Sequence, residues 1–276
     1  MPFIIDAHTH LVSPDRDRYP QDPTTYQVDH DGSAELLKSE MDAAAVDRAY
    51  TISPWIYRWD NSYVLDVLPE NREWLAVGVL VNPYDPDGPA TLERLVKERG
   101  ASGVRIQGRI CGNGPFTDEE TTPLWKKAAD LGLTIDVNAT QEEYASLEPR
   151  LKQFPDTPIL LDHCGFISAE LSPDTPTVEP VIRLARYPNA YAKLSFLGLA
   201  SNQAYPFTDG HRLVKELVDA FGPERCMFGT NFPTKQYNPN ASYSQLVRLF
   251  TEEIDLTAEE REWILGKTAV NLWQWG

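Results

Sequence analysis

The sequence predicts a (β/α)8 barrel, α/β in class and distorted in shape, and three observations carry the prediction. Eight short apolar or β-branched runs recur along the 276 residues, amphipathic segments lie between them, and the composition is 42% hydrophobic with only 24% charged. Strands alternating with helices need right-handed crossovers and therefore a parallel sheet, which eight such units close into a barrel. Barrels of about 250 residues commonly fold as one domain, so a single domain over 1–276 is expected. The competing doubly wound sheet would use about five or six strands and usually a glycine-rich first turn. The first turn here, His10-Leu11-Val12-Ser13-Pro14, has no glycine.

In chain order the predicted strands cover 3–10, 45–53, 74–82, 103–108, 133–139, 158–165, 189–197 and 226–233. Helices fill the gaps and have readable ends. Thr117 with Glu120, and Thr257 with Glu260, match the capping box, in which a hydroxyl takes one orphan amide and the Glu side chain returns to the cap. Leu213, Val214, Leu217, Val218 and Phe221 recur at helical spacing, and Gly222-Pro223 supplies a stop. The longer connections, 11–32, 166–178, 198–209 and 234–243, all follow a strand, which in a barrel puts them on the face where active sites are built.

Composition removes several classes of function. With 25 basic against 41 acidic residues the formal charge is −16, which repels phosphate backbones and anionic headgroups, so neither nucleic acid nor membrane is an expected partner. Cys111, Cys164 and Cys226 are odd in number and widely spaced, against both a disulfide framework and a thiolate cluster. No basic n-region or uninterrupted apolar h-region opens the chain, and a cytoplasmic protein acting on a small molecule is expected, with a homo-oligomer left open.

The polar residues at strand ends are the candidate site. His8 and His10 end the first run two residues apart, so on a strand both rings share one face. The fourth run offers Arg105, with Arg109 beyond it; the fifth Asp136 and Asn138; the sixth His163; the seventh Lys193 and Ser195; the eighth Asn231. Trp55 and Tyr57, just past the second, are candidate pocket walls or packing aromatics. Each alone has an ordinary structural explanation, but barrel geometry sends every one of these strand ends to one mouth. His30 and His211 end no strand and are expected at the surface.

These residues carry a family resemblance. Ile-Ile-Asp-Ala-His-Thr-His at the start, Gly-Val-Arg at 103–105, Leu-Asp-His-Cys-Gly at 161–165, Lys-Leu-Ser at 193–195, Arg-Cys-Met-Phe-Gly-Thr-Asn-Phe-Pro at 225–233 and Gly-Lys-Thr-Ala-Val-Asn-Leu-Trp at 266–273 fall in order along the chain. Together they resemble the amidohydrolase-related proteins, in particular the branch of 2-pyrone-4,6-dicarboxylate lactonase and the sugar-acid lactonases. The resemblance implies hydrolysis of a small ester, often a carboxylated lactone. His8 and His10 would lie under the substrate carbonyl, His163 would face them, and Arg105 would hold a substrate carboxylate through its planar fork.

Two departures from the family stand out. Where many relatives have an Asp at the end of the eighth strand, this chain has Asn231, an amide that can orient a water or donate to an oxyanion but cannot be a general base. On the fifth strand Asp136 and Asn138 stand where metal-dependent relatives commonly place a His, which leaves His8, His10 and His163 as the ligand set if Zn or Mn is bound. The expected mechanism is cofactor-free: His8 and His10 polarise the carbonyl as donors, His163 takes the proton of the attacking water, Ser195 and Asn231 orient, and Asp136 is a reserve base. Metal-dependent decarboxylases and hydratases of the same family resemble the chain too, and a ligand-binding barrel without turnover is the third reading.

Overall fold

A computed structural model describes residues 3–167, 178–273 and 275, so most of the 166–178 connection lies outside the described residues. Eight parallel strands follow in sequence order: β1 Ile5–Thr9, β2 Arg48–Ile52, β3 Leu75–Leu80, β4 Gly103–Gln107, β5 Thr134–Asn138, β6 Ile159–Leu161, β7 Ala190–Leu194 and β8 Cys226–Phe228. Each falls inside its predicted run. The ring closes just past the last strand, where His10 N donates to Phe232 O at 2.7 Å and Asn231 N to His8 O at 2.8 Å. Closure therefore fixes the His8–His10 segment against Asn231. Helices connect the strands, making this a (β/α)8 barrel.

The helix Thr208–Phe221 buries Leu213, Val214, Leu217, Val218 and Phe221 and ends at Gly222, whose φ of +78° suits a residue without Cβ. The Thr257–Glu260 box is present, Glu260 N donating to Thr257 Oγ1 at 3.2 Å and Thr257 N to Glu260 Oε2 at 2.6 Å. The Thr117–Glu120 box is not: a 3-10 turn at Glu119–Thr121 leads into the helix Thr122–Asp130, and Pro123 at its start supplies a ready-made helical φ. Boxes form instead at Thr140–Glu143 and Ser242–Gln245.

Deep in the barrel the filling is partly polar. Tyr50 stacks on Trp273 with centroids 4.0 Å apart, and Gly78 and Gly103 leave the room its phenol needs, since a Cβ at either would come within 2.2 Å of its oxygen. Tyr50 donates to Asp136 Oδ2 at 2.8 Å, Lys193 pairs with Asp136 Oδ1, and the Lys193 ammonium lies over the Tyr50 ring at 4.9 Å. Burial raises the Asp136 carboxyl to about 6 against the pull of Lys193. Asp136 is thus the counter-ion of Lys193 in the packed interior, and it has no access to a substrate.

Candidate active site

Strand β1 delivers His8 and His10 to one face, as alternation requires, with their Nε2 atoms 3.3 Å apart and both rings buried. Gly229 makes the seat, because a Cβ there would stand 2.6 Å from His8 Cβ. The far nitrogen of each ring is held. His10 Nδ1 lies 2.8 Å from the carbonyl of Ile52, which can only accept, and His8 Nδ1 lies 3.2 Å from Asp162 Oδ1. Both Nδ1 atoms therefore carry the hydrogen, and both Nε2 atoms present lone pairs toward each other.

Burial lowers the His8 pKa well below that of free imidazole and takes His10 down to about 3, with the Arg105 charge adding to the effect. The pair is neutral near pH 7. Two neutral rings with Nδ1–H engaged accept at Nε2, where the sequence reading expects donors.

Strand β6 stops at Leu161, earlier than its apolar run suggests. His163, Cys164, Gly165 and Phe166 take φ values of +54°, +47°, +74° and +56°, a left-handed stretch that costs L residues energy and that concentrates at functional sites. This turn allows the adjacent residues Asp162 and His163 to serve the same centre, which an uninterrupted strand would forbid. Asp162 lies 2.8 Å from Arg105 Nε, 3.4 Å from Lys193 Nζ and 3.2 Å from His8 Nδ1. The Arg105 and His8 contacts are bent from ideal hydrogen-bond geometry, so charge carries them more than direction. Burial pushes the Asp162 carboxyl up, but Arg105, Lys193 and His8 outweigh it and hold it well below the usual carboxylate range.

His163 packs 4.4 Å from the His8 ring, and its Nδ1 sits 3.0 Å from Ser195 Oγ and 3.3 Å from Ser195 O. A hydroxyl gives or takes a hydrogen, so His163 can present Nε2 as acceptor or donor. Burial holds its pKa down to about 4. Ser195 accordingly orients His163 and does not line the cavity.

Of these groups His10, Arg105 and His163 reach the floor of a cavity of about 560 Å³ that Trp55, Asn138 and Asn231 also line, while His8 and Asp162 stay buried behind them. Three buried amide atoms there lack partners among the described residues: Gln107 Nε2, Asn138 Oδ1 and Asn231 Oδ1. Asn231, at φ +58°, is held in a left-handed conformation that Asn tolerates. One expected wall residue and one expected substrate-binding residue are elsewhere. Tyr57 is buried in packing, its hydroxyl accepting from Ser13 N at 2.9 Å, and Arg109 is exposed beside a separate hollow formed with Glu142 and Glu143. His211 donates to Pro206 O at 2.7 Å and His30 faces Asp29, both away from the cavity.

Sequence reasoning missed Asp162, Gln107 and Tyr237. Gln107 is two residues beyond Arg105 on β4, so alternation alone points it to the same face. Tyr237 lies against the His10 ring at 5.0 Å; no periodic signal marks it.

For a metal ion the donor set is two imidazoles. Two Nε2 lone pairs 3.3 Å apart suit one divalent cation, but among the described residues no group of three or more His, Cys, Asp or Glu side chains is arranged to hold one. The residues fit an open two-histidine seat, short of the three protein ligands usual for catalytic zinc.

The family model for amidohydrolases matches residues 5–275. The chain is 26% identical over 235 residues to 4-sulfomuconolactone hydrolase of Hydrogenophaga intermedia, covering 84% of this chain and 75% of that protein. It superposes on a probable 2-pyrone-4,6-dicarboxylic acid hydrolase of Acinetobacter baumannii, crystallised with citric acid bound, at a TM-score of 0.84 and 17% identity over 98% of both chains. A 2,6-dihydroxybenzoate decarboxylase from Rhizobium superposes at 0.70 with 14% identity, covering 99% of this chain and 98% of that one.

Proposed function

The chain belongs to the amidohydrolase family, and from that premise we propose that it is a hydrolase opening a small lactone, or a similar ester, that carries an anionic group. The curated relative named for hydrolysis of a lactone supports the reaction class. The observation that carries the reading is the His10 imidazole beside the Arg105 guanidinium at the floor of one cavity, with His8 Nε2 buried 3.3 Å from His10 Nε2.

In this reading Arg105 binds the substrate anion through the terminal nitrogens that Asp162 leaves open. A water on the cavity side of His10 gives up a proton to the acceptor pair as its oxygen adds to the carbonyl carbon. Asp162 compensates the charge that forms on His8 and His10, which keeps the rings aligned as a general base worth about 10²–10⁴ in rate. His163, free to change tautomer on Ser195, and the amide of Gln107 donate to the carbonyl oxygen. The carbon–oxygen bond of the ring then breaks, and the proton held by the pair passes to the leaving oxygen, giving a hydroxy acid. No cofactor is needed for these steps.

The convergent lone pairs also support a second reading, in which His8 and His10, with His163 alongside, hold one Zn or Mn ion. Such an ion, when bound, supplies Lewis-acid polarisation of a carboxylate or carbonyl, as a decarboxylase or hydratase would use. Titration of acid release against a panel of carboxylated and sulfonated lactones, before and after chelation, separates the readings. One proton released per ring opened, undiminished by chelation, is expected. Carbon dioxide release, or activity that disappears with the metal, would replace the first reading by the second.

A further inference from the structure

The cavity is divided between a charged floor and an apolar rim. Among the described residues five large apolar side chains remain exposed, and three of them, Tyr26, Phe166 and Leu199, line this one mouth. An apolar cluster left open at a cavity entrance is a recognition surface more often than an accident. Its members are held in place. The Tyr26 hydroxyl meets the Tyr237 hydroxyl at 2.9 Å, and Phe166 sits at φ +56° with its ring 5.0 Å from that of His163. A strained backbone that carries an aromatic ring to a mouth is retained when the ring has a use there.

The floor holds little spare positive charge. Arg105 is the one Lys or Arg among the described residues lining the cavity, and the stretch 168–177 contains Glu170 and Asp174 but no Lys or Arg. Behind it, Asp162, Lys193 and Asp136 continue the ion pairing, so two cations face two carboxylates before any substrate enters. Arg58, beside the rim, is turned to Thr24 Oγ1 at 3.3 Å and lies over the Trp55 ring at 5.3 Å. One substrate anion can be matched by Arg105, whereas a second would find only Arg58 at the rim, already bonded to Thr24 and stacked on Trp55, in a chain of formal charge −16.

We infer that the substrate is amphiphilic: a lactone or ester with one anionic group near the scissile carbonyl, held by Arg105, and an apolar substituent at its far end, held between Tyr26, Phe166 and Leu199. This rests on the hydrolytic reading for the reaction, although the shape and charge of the ligand stand on the cavity alone.

The test uses three γ-lactones that share one ring carboxylate and differ at the far ring position, which bears hydrogen, phenyl or a second carboxylate. The phenyl compound is expected to exceed the hydrogen compound by about tenfold or more in kcat/KM, and the dicarboxylate to fall at least about tenfold below the phenyl compound. Leu199→Asn, at a half-exposed position that does not threaten folding, should lower the phenyl-to-hydrogen ratio. A dicarboxylate that leads the series, or a ratio that Leu199→Asn leaves unchanged, overturns the inference while leaving hydrolysis intact. Calorimetric binding of the three matching cyclopentanone carboxylates, which keep the ring and its substituents but cannot be opened, is measured in parallel. If no lactone is opened, the hydrolytic reading fails, and the same order of binding supports the inference while any other order overturns it.

Discussion

In the interior of the barrel Asp136 accepts from Tyr50 at one oxygen and pairs with Lys193 at the other, while Lys193 also faces Asp162 and the rings of Tyr50 and Trp273. Nearer the mouth, at the ends of β4 and β5 and just past β8, Gln107 Nε2, Asn138 Oδ1 and Asn231 Oδ1 have no partner among the described residues, and the Nε2 atoms of His8 and His10 stand 3.3 Å apart. Natural interiors leave few polar atoms unanswered, so a group of them around one cavity marks where a ligand completes the bonding. The lower layer closes its own charges and holds the barrel; the upper layer keeps its valences for something that arrives. Asp162 belongs to both, tied below to Lys193 and above to His8 and Arg105.

Substitutions at the two layers should therefore fail in different ways. His10→Asn, at the upper layer, is expected to lower kcat/KM by about 10³-fold with the melting temperature nearly unchanged, because one acceptor of the pair is lost and little packing goes with it. A comparable loss of folding stability would erase the distinction between the layers. Lys193→Met, at the lower layer, leaves Asp136 and Asp162 without their shared cation and should cost about 3–5 kcal/mol in urea denaturation. Ser195→Ala should be milder, about tenfold in kcat, since His163 keeps its ring position but loses the hydroxyl that lets it change tautomer. A Ser195→Ala enzyme whose kcat is unchanged would point to another donor.

Acidity sharpens the same contrast. His10 and His163 are held down to about 3 and about 4 by burial, so the acid limb of kcat/KM should fall near pH 4, well below the range of free imidazole. The sign for stability follows from the same shifts. Between pH 6.5 and pH 4 the unfolded chain takes up protons on histidines that the native rings refuse, so this contribution is present above 6.5 and is lost as pH falls through the window. Asp6 and Asp136 oppose it: burial raises each carboxyl to about 6, so native protein binds those protons first and gains stability as pH falls from 6 toward 4. A denaturation series across this range should show a net loss on acidification, because three rings act in one direction.

The eight strands were legible because apolar runs and their punctuation are local signals. The clustering of His8, His10, Arg105, His163 and Asn231 followed from topology alone, since parallel strands of a barrel end at one mouth. What could not be read is what depends on register and on departures from regular backbone. Asp136 and Lys193 were both visible as strand residues, but their pairing needs the lateral alignment of β5 through β7. Asp162 follows the inward-facing Leu160 by two, so alternation alone turns it to the centre; His163 shares the outward parity of Ile159 and Leu161, and only the left-handed turn that begins at His163 brings it there. Arg109 and Tyr57 were placed at the cavity by nearness in sequence, which in a loop says nothing about direction. The Nε2 lone pairs were beyond reach because a tautomer is set by the partner of the other nitrogen, here a carbonyl on β2 and a carboxylate after β6.

The central claim is that His8 and His10 are neutral rings with unprotonated Nε2 atoms, His10 facing the cavity and His8 buried behind it, and the nitrogen NMR spectrum of the imidazole side chains, recorded at pH 7 after chelation, tests it most directly. Both rings should appear as Nδ1–H tautomers with an unprotonated Nε2. An Nε2–H tautomer in either ring, or a stable imidazolium, would contradict the account.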